Sequence, residues 1–448
     1  MNENFLKGNI SKNILTNAIP ALGGLILLVI DSFLDGIIVS RMMGQKALGG
    51  LTLLTPLLIF QSSLGSLVAS GSSILISKSV GKYDDSSIRI IFFNQHLVAV
   101  ILSVLAFVLY LFMGDWVLHK LSSDEIEIAF AHSFYKVFSA GSIIVILSMS
   151  YGALMRSFGQ FRNMSLFLLI SIVTNVVLSL VLIPIFGMSG CALAILVSML
   201  LYATLNLLSI LRIYRRVIEF KVDFEVINQI FSIGLSAFLF QFSNILRQAI
   251  ILKFINLQGN TDLALYGVIS RILALMIIPT QAIIQSFQPL YIANLTANFK
   301  ERCTEAINTV KRYAILLAVA FCVMGMLFSE NILLAFFKGN TINYESLEAF
   351  RIALLLIIFY PIASLSFVLL QSSGNHKIAT IIVSVRELFL LLPLMFLFTQ
   401  FLASNAVYWA ILLEVAIYTT VIYGVARYKT EFVIEKTLNP RQLWTSKQ

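Results

Sequence analysis

The chain has 448 residues, 59% of them apolar and only 12% charged, with a mean hydropathy of +0.92. Soluble domains sit nearer half apolar and a quarter charged, so this composition excludes an ordinary soluble protein and points into a lipid bilayer. The formal net charge of +9 would suggest nucleic acid in a soluble protein; in a membrane protein it reflects Lys and Arg gathered in cytoplasmic loops.

A bilayer core about 30 Å thick needs roughly 20 mostly apolar residues per helical span. The first such stretch, 14–40, follows Lys7 and Lys12. It is too long for a signal-peptide core and lacks a small-residue cleavage site, so it is expected to remain as the first span. Further stretches follow at 47–76, 90–113, 134–154, 164–185, 188–211, 230–255, 263–292, 313–337, 350–370, 378–401 and 406–426. Turn chemistry or charge separates them, as at Gly81-Lys82-Tyr83-Asp84, Gly187-Met188-Ser189-Gly190 and Gly259-Asn260-Thr261-Asp262. Lipid offers no partner to unpaired backbone groups, so all spans are expected to be helical.

Alternate loops carry the positive charge. One set holds Lys78, Lys82, Arg89, Arg156, Arg162, Arg212, Arg215, Arg216, Lys221, Lys300, Arg302, Lys311, Arg312 and Lys377, with Arg427, Lys429, Lys436, Arg441 and Lys447 in the tail. The other set offers only Arg41, Lys46, Lys120 and Lys338. This bias places both termini in the cytoplasm, demands an even number of spans and makes nucleic acid unnecessary as a partner. The three cysteines, Cys191, Cys303 and Cys322, have no disulfide or zinc spacing; two fall in or beside apolar runs and Cys303 in a basic loop. Four histidines without repeat spacing give no metal site.

The halves can be laid on each other with a shift of about 215 residues. Leu154–Asn163 (LMRSFGQFRN) lies against Leu369–Ile378 (LLQSSGNHKI), and Ile76–Tyr83 (ISKSVGKY) against Ile292–Phe299 (IANLTANF). The expected architecture is an all-α integral membrane protein of twelve transmembrane helices in two pseudo-symmetric six-helix bundles. Residues 1–215 form the N-terminal lobe, 216–229 a cytoplasmic linker, and 230–448 the C-terminal lobe with a cytoplasmic tail. Two such lobes around a central site suit alternating access.

At several motifs the chain resembles the multidrug and toxic compound extrusion (MATE) family of secondary transporters. Asp35–Leu48 (DGIIVSRMMGQKAL) is similar to the family's D-x-x-x-V-G-R-x-x-G-x-x-A-L, and Gly71–Asp84 (GSSILISKSVGKYD) to the end of its second span. Arg156–Arg162 resembles R-x-x-G-x-x-R, and Gly187–Ala194 resembles G-V-x-G-A-A-L-A. Gln288-Pro289 with Asn294, and Arg386 with Pro393, resemble second-half motifs, so the likeness covers nearly the whole chain. Departures are Ser40 and Thr296 where glycines are usual, Ser179 where many relatives carry Asp, and Ile195 where threonine is common. The resemblance implies a cation-coupling site of Asp35, Asn175, Ser179's position and Ile195's position. Only Asp35 and Asn175 keep the family's residues, and a dehydrated sodium ion favours several oxygen ligands, so the loss of two points to protons.

A carboxylate within a helix bundle costs several kcal/mol and is a functional candidate by default. Asp31 and Asp35 are four residues apart and share one face of the first helix. Such close carboxylates disfavour double ionisation, so at least one is expected to exchange a proton near neutral pH. In the second lobe, Arg271, Glu387 and Glu414 are charge candidates, with Arg247, Lys253 and Arg386 nearby. The better reading is a structural ion pair, because buried charges are usually matched; the other is a second proton site or a substrate counter-charge. Adjacent Arg386 and Glu387 do not face each other on a helix. Gln61, Tyr151, Gln248, Gln281 and Gln285 interrupt apolar runs. They either line a substrate cavity or satisfy helix–helix hydrogen bonds. The 35 Phe, 13 Met and 15 Tyr include groups that line adaptable apolar pockets, although most are expected to face lipid or other helices. His96 is expected at the membrane interface.

The expected activity is proton-coupled export of amphiphilic small molecules across the cytoplasmic membrane, with a proton or sodium gradient in place of any cofactor. Membrane lipid is the surrounding partner, and a monomer is expected. The alternative is a flippase or exporter for a lipid-linked or peptide substrate. No dinucleotide fingerprint, P-loop or H-E-x-x-H motif occurs, which argues against an enzyme and against direct use of ATP. No charged ring or filter-like loop suggests a channel.

Overall fold

The computed structural model describes residues 4–121, 124–213, 220–258, 261–336, 343–402 and 405–436. Arg215, Arg216, Lys338, Arg441 and Lys447 of the charge pattern lie outside the described residues, as do the side chains of Glu387 and Lys436.

The helices are α1 (Asn4–Lys7), α2 (Ile10–Met43), α3 (Gln45–Leu53), α4 (Thr55–Lys82), α5 (Asp85–Leu121) and α6 (Glu125–Ala140). They continue as α7 (Ser142–Ser157), α8 (Phe161–Phe186), α9 (Met188–Ile213), α10 (Phe224–Gln258), α11 (Thr261–Thr296) and α12 (Lys300–Leu327). The last are α13 (Ser329–Phe336), α14 (Tyr344–Ser372), α15 (His376–Arg386), the π-helical turn Glu387–Leu391, α16 (Leu392–Phe401) and α17 (Ala406–Lys436). No strand occurs among the described residues. Among the described residues, ten helices are long and apolar enough to cross a membrane, or up to twelve spans if each of two bent pairs counts as one.

Two of the expected helical spans are thus bent. The fourth span is α6 and α7, meeting at 62°. Gly141 stands at the joint, where an added side-chain carbon would meet Leu196 of α9 at 2.3 Å. The glycine thus lets Leu196 of α9 come close at the joint, a long-range contact that hydropathy does not register. In the eleventh span α15 turns by 48° into Phe389–Phe401. Pro393 follows immediately, and a proline without an N–H breaks the helical hydrogen-bond ladder, which the π turn accommodates. The second predicted span likewise begins with the separate helix α3 before α4.

The repeat is visible in the backbone. Left-handed residues recur 215 apart at Tyr83 and Asn298, and again at Gly159 and Gly374. Each closes its helix in the same way. The N–H of Asp84 donates to Ser79 O (3.0 Å) and that of Phe299 to Asn294 O (2.9 Å). Gln160 N donates to Met155 O (2.8 Å) and Asn375 N to Leu370 O (3.0 Å). These six-to-one bonds are the Schellman closure that satisfies the last orphan carbonyls of a helix. The two halves are thus pseudo-symmetric bundles that share turn chemistry despite little sequence identity.

By its internal contacts the chain divides into two units, one of Met1–Lys7 with Ile19–Phe242, the other of Gly8–Ala18 with Ser243–Gln448. In the first, α4 and α10 touch backbone to backbone. Side-chain carbons at Gly71 and Gly234 would lie 2.3 Å from Ile230 O and 2.1 Å from Leu67 O. Such small-residue contacts let helices approach closely where no hydrophobic effect drives them together. All three cysteines are free and buried, including Cys303, which lies on α12 rather than in a loop.

Candidate functional site

Within the first unit, α8 carries a buried face of Ser171, Ile172, Asn175, Ser179 and Ile183 at helical spacing. That face meets α2. Asn175 is 1% exposed, and its side-chain Nδ2 donates to Asp35 Oδ1 at 2.9 Å and to Asp31 Oδ1 at 3.2 Å. Both carboxylates therefore look toward one amide, as their four-residue spacing requires. An amide nitrogen has two hydrogens, so it can serve each carboxylate once. Asn175 Oδ1 and Ser179 Oγ are buried and have no hydrogen-bond partner. The cluster thus combines two acids with two unsatisfied oxygens at the centre of a span. Its chemistry is that of a site for a proton or a small cation, since protonated acids need acceptors and cations need oxygen ligands.

Residues 20–181 and 233–397, more than half of the chain, match the family model MatE. The chain belongs to the MatE family. The two matched segments correspond to the two halves of the repeat. The multidrug export protein MepA of Staphylococcus saprophyticus subsp. saprophyticus is 21% identical over 419 residues, covering 91% of this chain and 92% of that protein. A crystal structure of MATE in the bent conformation has a TM-score of 0.89 at 20% identity, over 97% of this chain and 98% of that one. An outward-facing multidrug resistance MATE family transporter of the MOP superfamily gives 0.85 at 20% identity, over 96% and 98%. At that identity the solved structures show the MatE fold.

Inside this MatE fold the remaining candidates separate. Gln61 is wholly buried, and its Oε1 accepts from Tyr110 of α5 at 2.8 Å, so it ties α4 to α5. Tyr151 is also buried; its hydroxyl lies 2.5 Å from His96 Nε2, and its ring stacks on Phe92. His96 is therefore packed between helices, in the first third of α5. Gln248 is exposed, while Gln281 and Gln285 are half-buried on α11.

Glu414 of α17 is fully buried between two arginines of the second unit. Arg247 Nη1 of α10 donates to Oε2 at 2.8 Å. Arg386 of α15 donates through Nε to Oε1, and through Nη2 to Oε2 at 3.3 Å. Its guanidinium also lies 4.1 Å from the centre of the Tyr418 ring. A planar fork that grips both carboxylate oxygens and stacks on an aromatic face is an arginine geometry that lysine cannot copy. Arg271 and Lys253 are exposed and take no part. The side chain of Glu387 lies outside the described residues.

Sequence reasoning passed over the partners more than the principals. Tyr110 was missed, as was the link in which Gln241 of α10 accepts from Ser66 Oγ (2.9 Å) and donates to Ser62 Oγ (2.9 Å). The four-residue spacing of Ser62 and Ser66 on an apolar helix was the available signal.

Proposed function

We propose that this protein is a proton-coupled antiporter that exports amphiphilic small molecules across the cytoplasmic membrane by alternating access. The observation that carries the reading is the Asn175 amide held between Asp31 and Asp35, with Asn175 Oδ1 and Ser179 Oγ left without partners. In the ionised state both acids accept N–H bonds from Asn175. A proton on Asp35 turns that acid into a donor that needs an oxygen acceptor, and the two orphan oxygens of α8 supply one. Each state thus favours a different seating of α2 on α8. Pro20 within α2 removes one of that helix's hydrogen bonds and gives it a point of bending. Protonation of Asp35 then halves the negative charge of the cluster, allows α2 to shift and drives bound substrate outward.

Export of amphiphiles is supported by the MepA relative, a multidrug export protein. A cluster within the first unit supports it too, where Phe60 meets Phe238 and Phe242 at 6.2 and 6.1 Å between ring centres. Aromatic faces near the Ser62–Gln241–Ser66 polar link offer the mix of apolar and polar groups that an amphiphile requires. Alternating access draws support from the bent and outward-facing conformations of similar proteins.

The test is efflux of a substrate panel from everted vesicles under separately imposed proton and sodium gradients. Asp35→Asn is expected to abolish pH-driven efflux at an unchanged protein level. Full efflux in that variant would remove Asp35 from the mechanism.

A further inference from the structure

A groove of about 380 Å³ opens in the second unit between α12, α14 and α17, within the roughly 300–1,000 Å³ that suits a bound ligand. Its walls divide by chemistry. Ile307, Ile315, Pro361 and Leu365 form an apolar floor, whereas Lys311 and Arg427 stand on the lining with Tyr423. Lys311 Nζ donates to the Tyr423 hydroxyl at 3.3 Å and lies 5.2 Å from the centre of that ring, so the ammonium is held in place by α17. An ammonium has three N–H groups, and those not given to Tyr423 remain for a ligand.

The groove occupies the first half of α12 and the last part of α17, the helix ends that bear Arg302, Arg312 and Lys429 as well. By the positive-inside bias those ends belong to the cytoplasmic leaflet. Four residues beyond Ile315 the same face of α12 continues as Val319, which is 41% exposed. An apolar track therefore leads from the cations toward the bilayer centre.

We infer that this groove binds an anionic phospholipid of the inner leaflet, its phosphate at Lys311 and Arg427 and an acyl chain over Ile315 and Val319. Charge complementarity selects the occupant: two cations repel a cationic amphiphile and favour an anionic headgroup. The apolar floor selects against free phosphate, which would leave it uncovered. A basic pocket between helices on the cytoplasmic side is a general form of lipid recognition.

Native mass spectrometry of the detergent-purified protein, incubated with equal amounts of phosphatidylglycerol and phosphatidylcholine, tests the inference. Retention of phosphatidylglycerol is expected to be roughly 25-fold favoured, the product of about fivefold for each cation. The double variant Lys311→Gln/Arg427→Gln should lose that preference while melting as the parent does. Ile362→Trp, which fills the groove and keeps both charges, should lose retention as well. Equal retention of the two lipids by the parent, or an unchanged preference in the double variant, overturns the site. So does displacement of the lipid by millimolar inorganic phosphate, which would make it a simple anion site.

Discussion

At residue scale, the difference between Ser179 and a carboxylate bears on which ion the proposed antiport would use. Ser179 lies one turn beyond Asn175 on the buried face of α8, and its hydroxyl has no partner. A proton needs one acceptor, but a dehydrated sodium ion needs several oxygens, preferably charged ones. Ser179→Asp is therefore expected to make efflux respond to an imposed sodium gradient at fixed pH, where the parent does not. An unchanged response would separate ion choice from this position. Glu414 shows the opposite economy, because its two oxygens are gripped by Arg247 and Arg386. Removing a carboxylate from such an arrangement leaves buried cations uncompensated, which generally costs about 3–5 kcal/mol. The alternative readings of that region as a proton site or counter-charge thus face a carboxylate already occupied by arginines.

At the scale of the element, the loop between α4 and α5 carries the clearest local rule. Asp84 caps α5, accepting from Ser87 N at 3.0 Å and Ser87 Oγ at 2.5 Å. The Ser87 hydroxyl, then the Ser87 backbone N–H, hold its carboxyl below the ordinary value of 3.8. A carboxyl lowered in the folded state contributes stability above its unfolded value and loses that contribution as pH falls through the folded one. Asp84→Ala is expected to cost about 0.5–2 kcal/mol at neutral pH, at the lower end because the loop is open to water. The difference in melting temperature between parent and variant should narrow as pH is lowered below about 4; a gap that widens there would contradict the capping role. Helix existence was legible from apolar length alone, since lipid permits nothing else. The bend at Gly141 was not, and the residue packed against that joint, Leu196, is 55 residues away in the chain. Nor was the π turn beside Pro393, although that proline marked the place.

For the whole molecule, charge bias predicts which ends of the helices face the cytoplasm, and cysteine chemistry offers a clean reading. The three native thiols are buried, so a membrane-impermeant maleimide should leave the parent unlabelled. Phe299→Cys and Tyr344→Cys place thiols at residues 45% and 75% exposed on opposite ends of α12–α14. Intact cells should label the second, and inverted vesicles the first; the reverse pattern would invert the topology.

Composition determined the solvent of this protein, and hydropathy with turn residues determined its helical spans and their repeat. These are properties of single segments: roughly 20 apolar residues must span, and a left-handed residue such as Gly159 or Gly374 must end a helix. Two acids four apart on one helix were likewise bound to share a face. Which groups would meet them was a question of packing between segments distant in sequence. The resemblance had already grouped Asn175 with Asp35, but only the tertiary structure could hang both Asp31 and Asp35 on its one amide, 144 and 140 residues away, place two arginines on Glu414, and set Lys311 against Tyr423. Hydrogen bonds and ion pairs act over a few ångströms, and sequence separation carries no information about distances of that order.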